Sequence, residues 1–92
     1  MNTFIGVGKI VDLEENQKVL KFNFSIQQEK PCLIPCLVFE PDDNVKEFIE
    51  DVQNMEQVVW LQGKIFCNEN EYKGKTTRKI QIVTYAKSIR VI

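Results

Sequence analysis

The sequence has no histidine, and cysteine occurs only at Cys32, Cys36 and Cys67. Those two scarcities remove most metal and catalytic chemistry. A structural zinc site wants four ligands, usually Cys and His, and three thiols fall one short. No metal or other cofactor is therefore expected. An odd number of thiols with no secretion signal also argues for reduced cysteines. There is no Gly-x-Ser-x-Gly, no phosphate-binding glycine-rich loop, and no paired acids outside turns and a helix. With no histidine and none of these catalytic motifs, the chain is not expected to be an enzyme. No apolar run approaches the ~20 residues that cross a bilayer. The start, Met1 to Lys9, lacks the basic opening and long apolar centre of a signal peptide. The expectation is a cytoplasmic protein with no membrane contact.

What is present reads as alternation. Ninety-two residues fit one domain, spanning 1–92, with a small core that oligomerisation would help to bury. Val59, Leu61, Gly63 and Ile65 share one face of a strand, and Trp60, Gln62 and Lys64 share the other. Lys18–Gln28 alternates likewise, with Phe22, Phe24 and Ile26 against Lys21, Asn23 and Ser25. Thr3–Leu13 is a first strand, in which Gly6 and Gly8 suggest a bulge or sharp bend. Glu14 to Gln17 form a polar turn. Cys32–Phe39 is a third, mostly apolar strand, with Pro35 expected at an edge or bulge. Between Asp43 and Gln53 the period changes. Val45, Phe48, Ile49 and Val52 recur at helical spacing, with an Asp as N-cap. A final strand closes the chain after a polar connector, Asn68 to Arg78.

The order β-β-β-α-β-β predicts an all-β fold with one short helix. It is that of an OB-fold, a five-stranded Greek-key barrel with the helix between strands three and four. The core is expected to hold Phe22, Phe24 and Phe48.

Charge is divided along the chain, although the formal total is only -1. Acids dominate from Glu40 to Glu56, where Lys46 is the one base. Bases dominate from Lys64 to Arg90, where Glu69 and Glu71 are the acids. Phosphate binding depends on the local field rather than on the sum. Tyr72 in the connector stands among Lys73, Lys75, Arg78 and Lys79. An aromatic face among cations suits single-stranded nucleic acid, which offers phosphates and unstacked bases together. Lys9 and Lys21 are further candidate phosphate contacts. Trp60 alternates away from the core and needs cover. With Thr3, Ile5 and Val7 on the first strand it makes a candidate subunit interface, in a dimer or tetramer.

These motifs, in order, resemble the bacterial single-stranded DNA-binding proteins and the related primosomal replication protein. Asn2 to Ile10 resembles the family's opening strand, and Phe24-Ser25-Ile26 its Phe-Thr-Leu core. Ile34 to Phe39 resembles the third strand and Val45 to Ile49 the helix. Val58 to Ile65 resembles the Val-x-Val-x-Gly-x-Leu strand. Tyr72 to Lys75 resembles the aromatic finger, and Ala86 to Ile89 the closing strand. The resemblance implies sequence-tolerant binding of single-stranded DNA, by a homo-oligomer, in replication, repair or mobile-element transfer. It implies stacking roles for Phe39 and Tyr72, although Phe39 could equally close the barrel end. Leu33 stands where family members often carry Trp. The sequence ends at Ile92, without the acidic tail through which such proteins recruit enzymes. The competing reading is an OB domain that binds protein or serves as a structural subunit without strong nucleic-acid binding.

Overall fold

The five strands form one closed sheet in the order β1-β2-β3-β5-β4, in a computed structural model that describes residues 2–16 and 18–92. They are β1 (Thr3–Glu15), β2 (Val19–Ile26), β3 (Cys32–Phe39), β4 (Val58–Tyr72) and β5 (Lys75–Val91), with α1 (Asp43–Asn54) between β3 and β4. All neighbours run antiparallel except β3 and β5, whose short parallel seam, Cys36↔Ile82 and Leu37↔Val83, closes the barrel. This is the expected OB architecture.

Alternation explains the core. Phe22, Phe24, Val59, Leu61, Ile82 and Ile89 point inward with Ile10, Leu20, Cys36 and Val38, and all are buried. Phe4 meets Phe24 edge to face, with ring centroids 6.0 Å apart. The helix supplies Ile49 and Val52 as a plug, with Val45 and Phe48 packed at its margin. Asp42 caps it, its carboxylate accepting from the Val45 amide at 2.9 Å.

Two expectations about the early strands are corrected. The bulge in β1 is not at Gly6 or Gly8. It lies between Val11 and Glu14, where Asp12 takes φ 56°. Two neighbours hold it there: Asn23 donates to the Asp12 carboxylate at 3.0 Å, and the Leu13 amide donates to Gln53 of the helix at 2.8 Å. The bulge is therefore where the plug fastens to the barrel, and Lys46 adds an ion pair to Glu15 at 3.2 Å. Gly8 has a different task. It pairs with Ile26 on one side and Val59 on the other, and a Cβ there would collide with the Ser25 carbonyl. Ser25, on the face opposite Phe22 and Phe24, is nonetheless buried, with Gln27 folded against its hydroxyl. Glu14 and Glu15 belong to the strand rather than to a turn, and Gln17 lies outside the described residues. Pro35 sits where the second edge of β3 has no ladder partner, just before the β5 seam begins.

A larger irregularity separates the two halves of the β4–β5 pair. Leu61 opposes Ile89 and Gly63 opposes Thr84, so residues 85–88 bulge out of the ladder. Thr84 is fully buried there, and its hydroxyl donates to the Gln62 carbonyl at 2.6 Å.

Candidate nucleic-acid interface

The polar connector is not a loop. Pairing continues unbroken from Gly63↔Thr84 to Tyr72↔Lys75, so β4 and β5 leave the barrel together as a two-stranded ribbon. Lys73 and Gly74 make the turn, with φ of 51° and 76°. Positive φ at both central residues is the type I′ geometry that matches strand twist, and glycine supplies it without steric cost. Residues 66–80 are exposed on both faces, which is why the alternation that marks a half-buried strand is missing from their sequence.

Register sorts the ribbon's side chains. Gly63 and Ile65 continue the inward row of Val59 and Leu61, so Cys67, Glu69 and Glu71 follow on that face, with Thr76, Arg78 and Ile80 opposite them. The outward row of Trp60, Gln62 and Lys64 continues through Phe66, Asn68, Asn70 and Tyr72, opposite Lys75, Thr77, Lys79 and Gln81. Tyr72 is 73% exposed at the tip. The Lys73 ammonium lies 5.4 Å from its ring centroid, which leaves the other face of the ring open. Arg78 stands apart from the lysines with which the sequence groups it, and its Nε is 2.9 Å from Glu69 Oε1 on the opposite face.

The other expected contacts lie on the barrel. Leu37 and Val83 are paired across the seam and both point outward, so the outer face of β3 runs on into the outer face of the ribbon. Lys21 is opposite Leu37 and is exposed. It shares a cleft with Asp12 and Glu14, which offset its charge. Lys9 is half-buried on β1, opposite Ser25 and Val58. Phe39 is 50% exposed at the end of β3. Because β3 and β5 run parallel and the tip lies at the start of β5, Phe39 and Tyr72 stand at opposite ends of this strip. Leu33 is exposed on the same strand.

The expected interface residues also come together. Val7 pairs with Trp60 and Ile5 with Gln62, and Ile5 and Val7 are exposed. Trp60 is half-buried under the Arg90 guanidinium, 5.8 Å from its ring centroid. Thr3 to Val7 pair with β4 alone, so their other edge carries unsatisfied ladder groups.

Two exposed aromatics, Phe66 and Tyr85, were not singled out in the sequence. Phe66 was legible as the next outward residue after Lys64. Tyr85 was not, because the residue 85–88 bulge breaks the period that would place it. Among the cysteines only Cys36 is core, and burial pushes its thiol up to about 12, while Cys32 and Cys67 are exposed. Among the described residues no group of three or more Cys, Asp or Glu side chains could hold a metal ion, and no helix is long and apolar enough to cross a membrane.

The sequence matches no protein-family model and no curated protein. Solved structures do match. The mitochondrial single-stranded DNA-binding protein Rim1 of Saccharomyces cerevisiae superposes with a TM-score of 0.78 at 18% identity, covering 98% of this chain and 93% of that one. The Plasmodium falciparum SSB, in complex with ssDNA, gives 0.67 at 14%, covering 100% and 95%. OBody NL8, bound to hen egg-white lysozyme, gives 0.64 at 20%, covering 98% and 93%. At these identities the likeness establishes the fold: this chain is an OB barrel of the shape shared by single-stranded DNA-binding proteins.

Proposed function

We propose that this chain binds single-stranded DNA with weak sequence preference, serving replication, repair or mobile-element transfer in the cytoplasm. The observation that carries this reading is the ribbon tip. Tyr72 presents an open ring face beside Lys73 and opposite Lys75, on an element with no barrel-packing role. Rings take any base by stacking and lysines take its phosphate, so neither contact reads sequence. The likeness to Rim1 and to the ssDNA-bound Plasmodium protein supports the same ligand. Lys79 extends the surface along the ribbon, and Phe39, Lys9 and Lys21 extend it over the barrel. No catalytic residue is assigned.

The chain acts as a homo-oligomer in this reading. Support comes from the open β1 edge at Thr3 to Val7 and the outward patch of Ile5, Val7 and Trp60. It is the kind of relation seen in the bacterial family that the sequence resembles.

The test is a fluorescence titration with oligo-dT at two salt concentrations, beside a duplex of equal length. Affinity should fall with salt, because bound cations release counterions from the phosphates. Duplex should bind more weakly, since its bases are already stacked. Absence of oligo-dT binding at low salt, or equal affinity for duplex, would refute the reading and favour a protein-binding OB domain.

A further inference from the structure

The ribbon's two faces differ in chemistry, not only in orientation. Its outward face carries Lys64, Phe66, Tyr72, Lys75 and Lys79 and no acid. Its inward face carries both acids, Glu69 and Glu71, and its one cation, Arg78, is already paired with Glu69. Strand pairing thus separates charges that are interleaved in the sequence. A polyanion approaching the outward face meets uncompensated lysines, and one approaching the other face meets a net negative surface.

At the root of the ribbon, Phe66 is 49% exposed beside Lys64. The two line an open cleft of about 630 Å³ with Asn2, Thr3, Ile65 and Cys67. Tyr85, 53% exposed, lines a second cleft with Lys64 from the other side. Lys64 therefore lines one cleft with each of two exposed rings, and the root, like the tip, sets a cation among aromatics. Tyr72 lies six positions along the strand from Phe66, roughly 20 Å at the strand rise. That span suits several nucleotides and is within the range one OB barrel covers.

We infer that single-stranded DNA lies along the outward face only, and that Phe66, with Lys64, forms a second stacking site at the ribbon's root. This rests on the reading of the chain as a single-stranded DNA-binding protein. A protein partner is disfavoured because lysines separate the rings, and contiguous apolar area is what protein interfaces bury at their centre.

The experiment compares oligo-dT titrations of the full chain and five variants at several salt concentrations, each checked for folding by circular dichroism. Phe66→Leu keeps apolar bulk but removes the ring. It should bind roughly 5- to 100-fold more weakly at every salt concentration, with an unchanged salt slope, as should Tyr72→Ala. Phe66→Tyr should bind like the parent and guards against a fold defect. Lys79→Gln should lower the salt slope by about 0.7. The net-neutral double change Glu69→Gln with Arg78→Gln should leave affinity and slope unchanged. A folded Phe66→Leu protein that binds like the parent while Tyr72→Ala is weakened overturns the second site and leaves the DNA-binding reading standing. A double variant whose slope falls as far as that of Lys79→Gln overturns the one-faced arrangement. A parent protein that does not bind refutes both.

Discussion

Cys36 shows what one position in a small barrel does to a thiol. The other two cysteines, Cys32 and Cys67, are exposed, whereas Cys36 is 1% exposed inside the sheet. Desolvation disfavours the thiolate, so the group stays protonated up to about pH 12. Thiolate is the reactive form. In a thiol-reagent assay at neutral pH, two cysteines should react in the native protein and the third only after denaturant is added. Three rapidly reacting native thiols would contradict the burial. The same shift links stability to pH. Above the ordinary value of 9.0 the unfolded thiol ionises while the native one does not. Stability from this group is therefore complete below about pH 9 and is lost as pH rises toward 12. Compared with the parent, Cys36→Ala should lose that part of the alkaline decline, read from urea melts between those limits.

At the scale of elements, the ribbon and the barrel are stabilised by different means. The barrel is held by inward rows from five strands and by the Ile49 and Val52 plug. The ribbon beyond Phe66 has exposed side chains on both faces, so ladder hydrogen bonds, cross-strand pairs and its turn hold it. The turn is the sensitive point. Gly74 has φ 76°, where a Cβ meets no neighbouring atom yet is strained by its own backbone. Gly74→Ala should cost about 1–2 kcal/mol locally, the penalty for left-handed backbone in an L-residue. Hydrogen exchange should quicken across residues 66–80 while barrel amides such as those of Phe24 and Leu61 keep their protection. Uniform loss of protection through the barrel would show that the two parts unfold as one.

The whole molecule leaves an apolar strip uncovered. Ile5 and Val7 on β1, Val58 on β4 and Ile92 are exposed around Trp60. Ile92 is tied to this strip by its amide, which donates to the Val58 carbonyl at 3.0 Å. Burying such a patch in a second copy would also let the open edge at Thr3 to Val7 find ladder partners. Sedimentation equilibrium at micromolar concentration should therefore show a dimer or tetramer. Val7→Asp should shift it toward monomer without unfolding the barrel, because Val7 points away from the core. A parent that stays monomeric would rule out this use of the strip.

Period and punctuation sufficed for the element order, the helix with an Asp cap, and the inward residues Phe22, Phe24, Val59 and Leu61. Burial on one face leaves a pattern of two or of 3.6 that can be read without coordinates. The ribbon was half legible. Its aromatic and its lysines are visible, but exposed polar strands carry no alternation, so 68–78 reads as a loop. Tertiary structure alone decided which charges share a face. It paired Arg78 with Glu69, set Lys75 and Lys79 beside Tyr72, and brought Tyr85 to Lys64 through the residue 85–88 bulge. Those relations depend on register between strands, and register is a property of two segments together that neither one encodes by itself.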